Sequence, residues 1–347
     1  MKRIAIEGIG VICNLGSDVG EVWENLSQGK EIVVNQEAIK YKSVLPPIKR
    51  RRMSGYSDMI LYSASKALAD GEVSTEEVGS YNIGTIYTTG FGPVDTLLKF
   101  NDTVLDGDPD LCSPTVFANT VANACLGNMC INLQLKGVST ILMGSDNWSY
   151  SQGLIDKGDA QYILSGNVEE NCKQLFDSIR EAEGSKNIPV KESSVSFLLS
   201  EAKENQEAYA DYVESIQGDI GGYPLFEQVD EEAAYDMILD MAKEMKDKYS
   251  FDAIFTSCNG SYFDQIEKKA LTDVFGSDMT YVDNVKALMG DTLGGAYNVN
   301  MLVATLCIKH AKLPIQLDKK EKEVKRILVA SYDVSGNYYL AVLENHM

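Results

Sequence analysis

The sequence predicts an α/β protein built from two similar halves. Short apolar segments alternate with helix-patterned ones from end to end, no low-complexity linker interrupts them, and the second half repeats the plan of the first in outline. The chain has 347 residues, of which 44% are hydrophobic, so it can bury a sizeable core and disorder is excluded as the main state. The longest apolar runs, such as 301–308, fall far short of the roughly 20 residues that a bilayer span requires. Met1-Lys-Arg-Ile-Ala-Ile-Glu7 carries an acid where a secretory leader would be apolar, and a cytoplasmic location is expected.

Each element has its own signal. Arg3 to Cys13 reads as a strand interrupted by glycines. Ser17 reads as a helix cap ahead of Val19, Val22, Trp23 and Leu26. A second helix is expected over Asp58 to Ala69, then a strand over Asn82 to Thr89 that runs into the turn Gly90-Phe-Gly-Pro93. Phe117 to Leu135 reads as one apolar helix with small residues for close packing, ended by Lys136-Gly137. After a further strand and helix comes a strand at Gln161 to Ser165. Residues 166–192 are polar and are expected to form an irregular surface excursion before the buried strand Ser193 to Ser200.

In the second half we expect a strand at Tyr209 to Ser215 and an amphipathic helix at Glu231 to Tyr249, whose Met237, Met241 and Met245 fill core. A strand at Phe251 to Ser257 and a helix at Asp264 to Phe275 follow. An apolar helix covers Asn298 to His310, and Arg326 to Ser331 pairs with Tyr338 to Leu343 around Ser335-Gly-Asn337. The halves are divided as 1–200 and 201–347.

The net charge of −20 opposes binding to nucleic acid. Lys49-Arg50-Arg51-Arg52 is the one basic cluster, either a loop anchor or a local anion site. Seven cysteines without a CxxC pair read as reduced thiols rather than a disulfide or zinc framework, so no metal and no cofactor is expected. Histidine is scarce: only His310 and His346 occur.

Over essentially its whole length the pattern resembles the β-ketoacyl-ACP synthase family. The opening Ile6-Glu-Gly-Ile-Gly-Val-Ile-Cys-Asn-Leu-Gly16 with Val22-Trp-Glu-Asn-Leu26 is similar to that family's first strand and helix. Arg51-Arg-Met53, Leu135-Lys-Gly137, Lys157-Gly-Asp-Ala160, Asp264-Gln-Ile-Glu267, Val285-Lys-Ala-Leu-Met-Gly290 and Leu293-Gly-Gly-Ala296 follow in the family's order. The resemblance implies a thiolase-like, five-layered αβαβα fold with an internal pseudo-duplication.

It also implies a chemistry this chain is not equipped for. A ketosynthase loads an acyl group on a cysteine at a helix N-terminus, where the thiolate is favoured and backbone donors await an oxyanion, and it uses two histidines for the condensation. Between Gly137 and Lys157 no cysteine occurs, and Ser145 lies at or beside the nucleophile slot. The first histidine slot falls within Ser257-Cys-Asn-Gly260, which contains Cys258. The second falls on Asp291, five residues after the retained Lys286. The family's flexible gate loop reads Asp333-Val-Ser-Gly336, that is Asp333, Val334, Ser335 and Gly336.

A chain that has lost these groups resembles a chain-length factor, the inactive partner of an active β-ketoacyl synthase subunit in type II polyketide systems. Such a subunit walls an acyl tunnel at a heterodimer interface and meets the acyl carrier protein only indirectly. On that resemblance Phe117, Thr120, Val121, Cys125 and Met129 are the tunnel and interface candidates; the plainer alternative is an apolar interface helix. A reading from another class is an autonomous malonyl-ACP decarboxylase or acyltransferase using Ser145 or Cys258. A serine there lacks a base, and Cys258 also reads as a packing thiol. Asp291 is expected to pair with Lys286 as a structural salt bridge, and Gly290, Gly294 and Gly295 to allow close backbone approach.

Overall fold

The computed structural model describes residues 1–28, 53–105, 107, 109–144, 146–182, 188–258, 260–318 and 322–346. The basic cluster at 49–52, Ser145 and Asn259 lie outside the described residues. The first half supplies β1 (Ile4–Ile12), β2 (Ile83–Thr89), β3 (Ser139–Met143), β4 (Tyr162–Glu169) and β5 (Ser193–Glu201). The second supplies β6 (Asp211–Asp219), β7 (Ala253–Phe255), β8 (Tyr281–Val282), β9 (Arg326–Tyr332) and β10 (Asn337–Glu344). Helices α1 (Val19–Ser27), α2 (Gly55–Asp70), α3 (Thr75–Val78), α4 (Val94–Leu105), α5 (Pro114–Ala118), α6 (Ala124–Leu133), α7 (Asn147–Lys157) and α8 (Lys173–Ala182) belong to the first half. Helices α9 (Glu231–Lys248), α10 (Phe263–Phe275), α11 (Val285–Met289) and α12 (Ala296–Lys309) belong to the second.

The strands join in the order β3-β2-β4-β5-β1-β6-β10-β9-β7-β8. Matched by rank within each half, this is a palindrome: 3-2-4-5-1 followed by 1-5-4-2-3. The strand senses agree as well. β1–β5 and β4–β5 are antiparallel, as are β6–β10 and β9–β10; β2–β4 and β2–β3 are parallel, as are β7–β9 and β7–β8. The strands of the two halves pair at β1 and β6, Ile4 with Tyr212 and Ala5 with Asp211.

Alternation along the strands feeds three cores. In β5, Val195, Phe197 and Leu199 face a central core, whereas Leu198 faces an outer one with α2 and α6. In β10, Tyr339, Ala341 and Leu343 face the central core, and Tyr338, Leu340 and Val342 face α9 and α10. The central core also takes Trp148 and Ile155 from α7 and most of α12. Helices, sheet, central helices, sheet and helices thus form the five layers expected.

At the centre two asparagines hold α7 against α12. Asn147 Nδ2 donates to Asn298 Oδ1 at 3.1 Å, and Asn298 Nδ2 returns a bond to Asn147 Oδ1 at 3.2 Å. Trp148 Nε1 adds a bond to Asn298 Oδ1 at 3.0 Å. Both asparagines are fully buried, where an unpaired amide would carry its whole desolvation cost.

Three expectations need correction. The cap of α1 is Asp18, not Ser17: Asp18 Oδ1 accepts from Gly20 N at 2.9 Å. The single helix over 117–135 is two, α5 and α6, broken at 119–123. Asn119 Nδ2 bonds the Thr115 carbonyl at 2.8 Å and Thr120 Oγ1 the Phe117 carbonyl at 2.8 Å, so these side chains compete with the backbone for helical acceptors. Residues 166–192 are not all surface: β4 runs to Glu169, and Glu169, Glu170, Lys191 and Glu192 are buried.

Asn298→Ala should strip the acceptor from both Trp148 Nε1 and Asn147 Nδ2 and lower unfolding stability by about 3 kcal/mol, read from urea denaturation. A loss within the noise of an exposed substitution would remove this pair from the account of the core.

Candidate functional site

The C-terminal end of β3 leads through Gly144 into α7, whose N-terminus is where the family resemblance puts a nucleophile. Gly144 has φ +62, and a Cβ there would stand 2.7 Å from Ser335 Oγ and 3.0 Å from the Asp333 carboxyl. Only glycine fits both the left-handed conformation and the close approach. Asp146 then caps the helix: its Oδ1 accepts from Trp148 N at 3.0 Å and Ser149 N at 3.1 Å, and its Oδ2 accepts from the Ser215 hydroxyl. Burial holds the Asp146 carboxyl above its ordinary range, with these hydrogen bonds pulling the other way. Two amides of the first turn are therefore already engaged by the chain's own carboxylate and are not free to receive an oxyanion.

The loops of the second half bring the other slots nearby. Cys258 Sγ lies 3.1 Å from Asp264 Oδ2, which also accepts from Gly260 N at 2.7 Å. Burial, with Asp264 adding to it, pushes the Cys258 thiol up to about 12, the reverse of what a nucleophile needs. Lys286 and Asp291 are both buried and stand 3.7 Å apart, and Lys286 Nζ lies 5.1 Å from the centre of the Tyr332 ring. Asp291 Oδ1 accepts from Leu293 N at 2.9 Å, so the residue at the second histidine slot orders the 292–295 turn.

Glu267 accepts from Ser257 N at 3.0 Å and from the Tyr338 hydroxyl at 2.8 Å, and burial pushes it up to about 7. On the first half's side, Glu169 accepts from Gly90 N, and burial pushes it up to about 8. Its neighbour Glu170, pushed to about 7, accepts from Asp95 N at 3.2 Å at the start of α4. Gly90 and Gly294 face each other so closely that a Cβ on Gly294 would overlap Gly90 N, and Gly290 and Gly295 are likewise crowded, by Lys191 and by Asn167.

Glu169 and Glu170 went unread in the sequence, because the polar run that follows them masks the strand pattern of Tyr162 to Val168. That alternation, continued past Ser165, is the signal that could have found them.

Neither histidine reaches these slots. His310 caps the C-terminal end of α12, about 20 Å along the helix from Ala296, and stacks on Trp23 with ring centres 4.0 Å apart. His346 Nδ1 lies 2.6 Å from Asp211 Oδ1 at the seam of β1 and β6. The five tunnel and interface candidates divide between two environments. Phe117 and Val121 are more than half exposed and Thr120 partly so, whereas Cys125 and Met129 are sealed into the outer core with Tyr56 and Tyr87. The Asp333 to Gly336 turn joins β9 to β10 and abuts Gly144. Among the described residues no group of three His, Cys, Asp or Glu is placed to hold a metal ion, and no helix is long and apolar enough to cross a membrane.

A palindromic five-layered arrangement of this kind is the thiolase-like fold. Residues 227–319 match the family described as beta-ketoacyl synthase, C-terminal domain. The chain is 23% identical to 3-oxoacyl-[acyl-carrier-protein] synthase 2 of Staphylococcus aureus, over 90% of this chain and 87% of the relative. It is 22% identical to the Coxiella burnetii protein of the same description, again over 90% and 87% of the two chains. Among solved structures it is similar to the ishigamide ketosynthase/chain length factor, with a TM-score of 0.84 and 17% identity over 100% of both chains. It is also similar to a type II polyketide synthase acyl-carrier protein in complex with its ketosynthase, with a TM-score of 0.80 and 15% identity over 99% of both chains. The chain thus has the thiolase-like fold and is similar in sequence to 3-oxoacyl-[acyl-carrier-protein] synthases over most of its length.

Two outcomes follow. Glu169, Glu170 and Glu267 keep their protons in the folded chain, whereas the unfolded chain ionises near 4.5. Their contribution to stability is thus complete below about pH 4.5 and is lost as pH rises through about 7 to 8. The urea midpoint should fall across that window, and Glu169→Gln should flatten its upper part. Separately, native Cys258 should resist iodoacetamide at pH 8, and Asp264→Asn should speed its alkylation; peptide mass mapping reads both. Rapid labelling of the unaltered chain at Cys258 would refute the second.

Proposed function

We propose that this chain is a non-catalytic, chain-length-factor-like subunit that pairs with an active ketosynthase in type II polyketide, polyene or fatty-acid-like biosynthesis. In this reading it shapes the acyl tunnel at the heterodimer interface and limits chain length. The observation that carries the reading is the content of the site: no imidazole stands near the β3–α7 turn, and the helix end is occupied by the buried Asp146. Condensation needs a thiolate and proton-handling imidazoles, and the groups present here are a carboxylate cap, a Lys286–Asp291 pair and a thiol held protonated. That last feature also weighs against an autonomous acyltransferase using Cys258.

A partner is supported by an asymmetry between equivalent elements. α12 is buried from Ala296 to Ile308, whereas its counterpart α7 leaves Tyr150, Gly153, Leu154 and Lys157 open or partly open. Strand β3 is an unpaired edge of five residues, against two for its counterpart β8. Met143 on β3 itself and Ile131 on α6, which packs beside β3, are exposed apolar side chains, as are Phe117 and Val121. In our reading Phe117, Thr120 and Val121 meet the partner and the acyl tunnel, with Cys125 and Met129 setting their backing. The acyl carrier protein is then engaged through the partner, since a chain of charge −20 repels an acidic carrier. We also propose that the chain divides at residue 200/201 into its two halves and that it works in the cytoplasm.

Coexpression with an active ketosynthase encoded beside it should yield a one-to-one complex by gel filtration and mass. Ile131→Glu combined with Met143→Glu should abolish the complex while the chain stays folded by circular dichroism. Condensing activity should vanish when the partner's nucleophilic cysteine is replaced. Activity that survives that replacement would sink the proposal.

A further inference from the structure

The turn between β9 and β10 carries more hydrogen bonds than joining two strands requires. The buried Asp333 carboxylate accepts from Ser335 N at 2.7 Å and Asn337 N at 3.3 Å through Oδ1, and from Asn337 Nδ2 at 3.0 Å and the Tyr339 hydroxyl through Oδ2. Tyr339 is itself stacked on Tyr297 of α12, with ring centres 4.8 Å apart. The turn is also fastened outward on both sides. Ser335 Oγ donates to the Met143 carbonyl at 3.3 Å, next to the α7 turn, and Ile220 N donates to the Gly336 carbonyl at 2.9 Å. Val334, between these anchors, projects toward Gly90, where a Cβ would come within 3.0 Å of its Cγ1 and 3.1 Å of Gly294 N.

We propose that Asp333 locks this turn shut, with Val334 as a plug against Gly90 where Gly90 meets Gly294, so that the N-terminal end of α7 is closed to an acyl chain. Asp333 is a positioning residue: it touches no ligand but fixes where Val334 sits. A loop of small residues in that place could swing, because each opening would break few bonds. Here an opening would strand a carboxylate and its donors together in a buried site. The inference rests on the reading of this chain as a non-loading subunit and adds the device that keeps it unloaded. An acyl chain would then meet this subunit only across the face around β3.

Hydrogen exchange of the full chain, followed on peptides spanning 331–338 and 142–149, tests the lock together with binding of a fluorescent medium-chain fatty acid. The wild type should protect both peptides and show no saturable binding. Asp333→Ala should exchange about tenfold faster in both peptides and bind the probe saturably. Asp333→Asn, which keeps one acceptor oxygen, should restore part of the protection. Should Asp333→Ala fail to fold, Val334→Ala serves instead, and it should admit the probe with protection of 331–338 unchanged. Saturable probe binding by the wild type that Val334→Trp abolishes would overturn the lock, as would unchanged exchange in Asp333→Ala. Pairing with the ketosynthase is read separately by gel filtration, so a leaky lock in a chain that still pairs counts against this inference alone.

Discussion

The reciprocal amide pair between Asn147 and Asn298 is the constraint on which the rest of the arrangement depends. The two halves share two residue pairs between β1 and β6 and a bridge between Val190 and Asp291. Between them lie the central helices, and these two side chains fix how the helices meet near their N-terminal ends. Because each carboxamide both donates and accepts, the pair is self-complementary, which suits a place where two similar elements face each other. Trp148 enlarges the contact by adding its indole N–H and by packing on Phe197 and Tyr212.

With the helices fixed in this way, their N-terminal ends and the loops after β7 and β9 are gathered at one place. What stands there is a set of buried carboxyl groups. Asp146, Glu169, Glu267, Asp291 and Asp333 are all buried and are provided with backbone amides, hydroxyls or, for Asp291, a lysine. Buried carboxyls on this scale are stabilising only with such partners, so they hold loops in place and leave few donors free. The same donors and helix end could have served a reaction. In this chain they serve its own structure.

The two halves differ most in how they treat water. Each outer core is closed by its own helices, and α12 is enclosed, yet α7 and the edge of β3 remain partly bare. A palindromic fold makes that difference informative, since each exposed element has a covered counterpart in the same molecule.

Much of this was legible in the residue order. The buried strands Ser193 to Ser200 and Tyr338 to Leu343, the amphipathic pattern of α9 and the apolar run of α12 each follow from local chemistry, and so their elements emerge from the sequence alone. So does the scarcity of histidine, which bounds the chemistry whatever the fold. The helix broken at 119–123 did not emerge, because side chains of Asn119 and Thr120 competing for carbonyls look the same as polar residues on a helix face. Nor did the burial of Glu169 and Glu170, since burial depends on what α4 and the 292–295 turn lay over them. The sequence by itself determined the elements and the missing imidazoles. Only the tertiary structure decided which acids lost their water, which thiol was held protonated and which turn was pinned, because those properties come from neighbours distant along the chain.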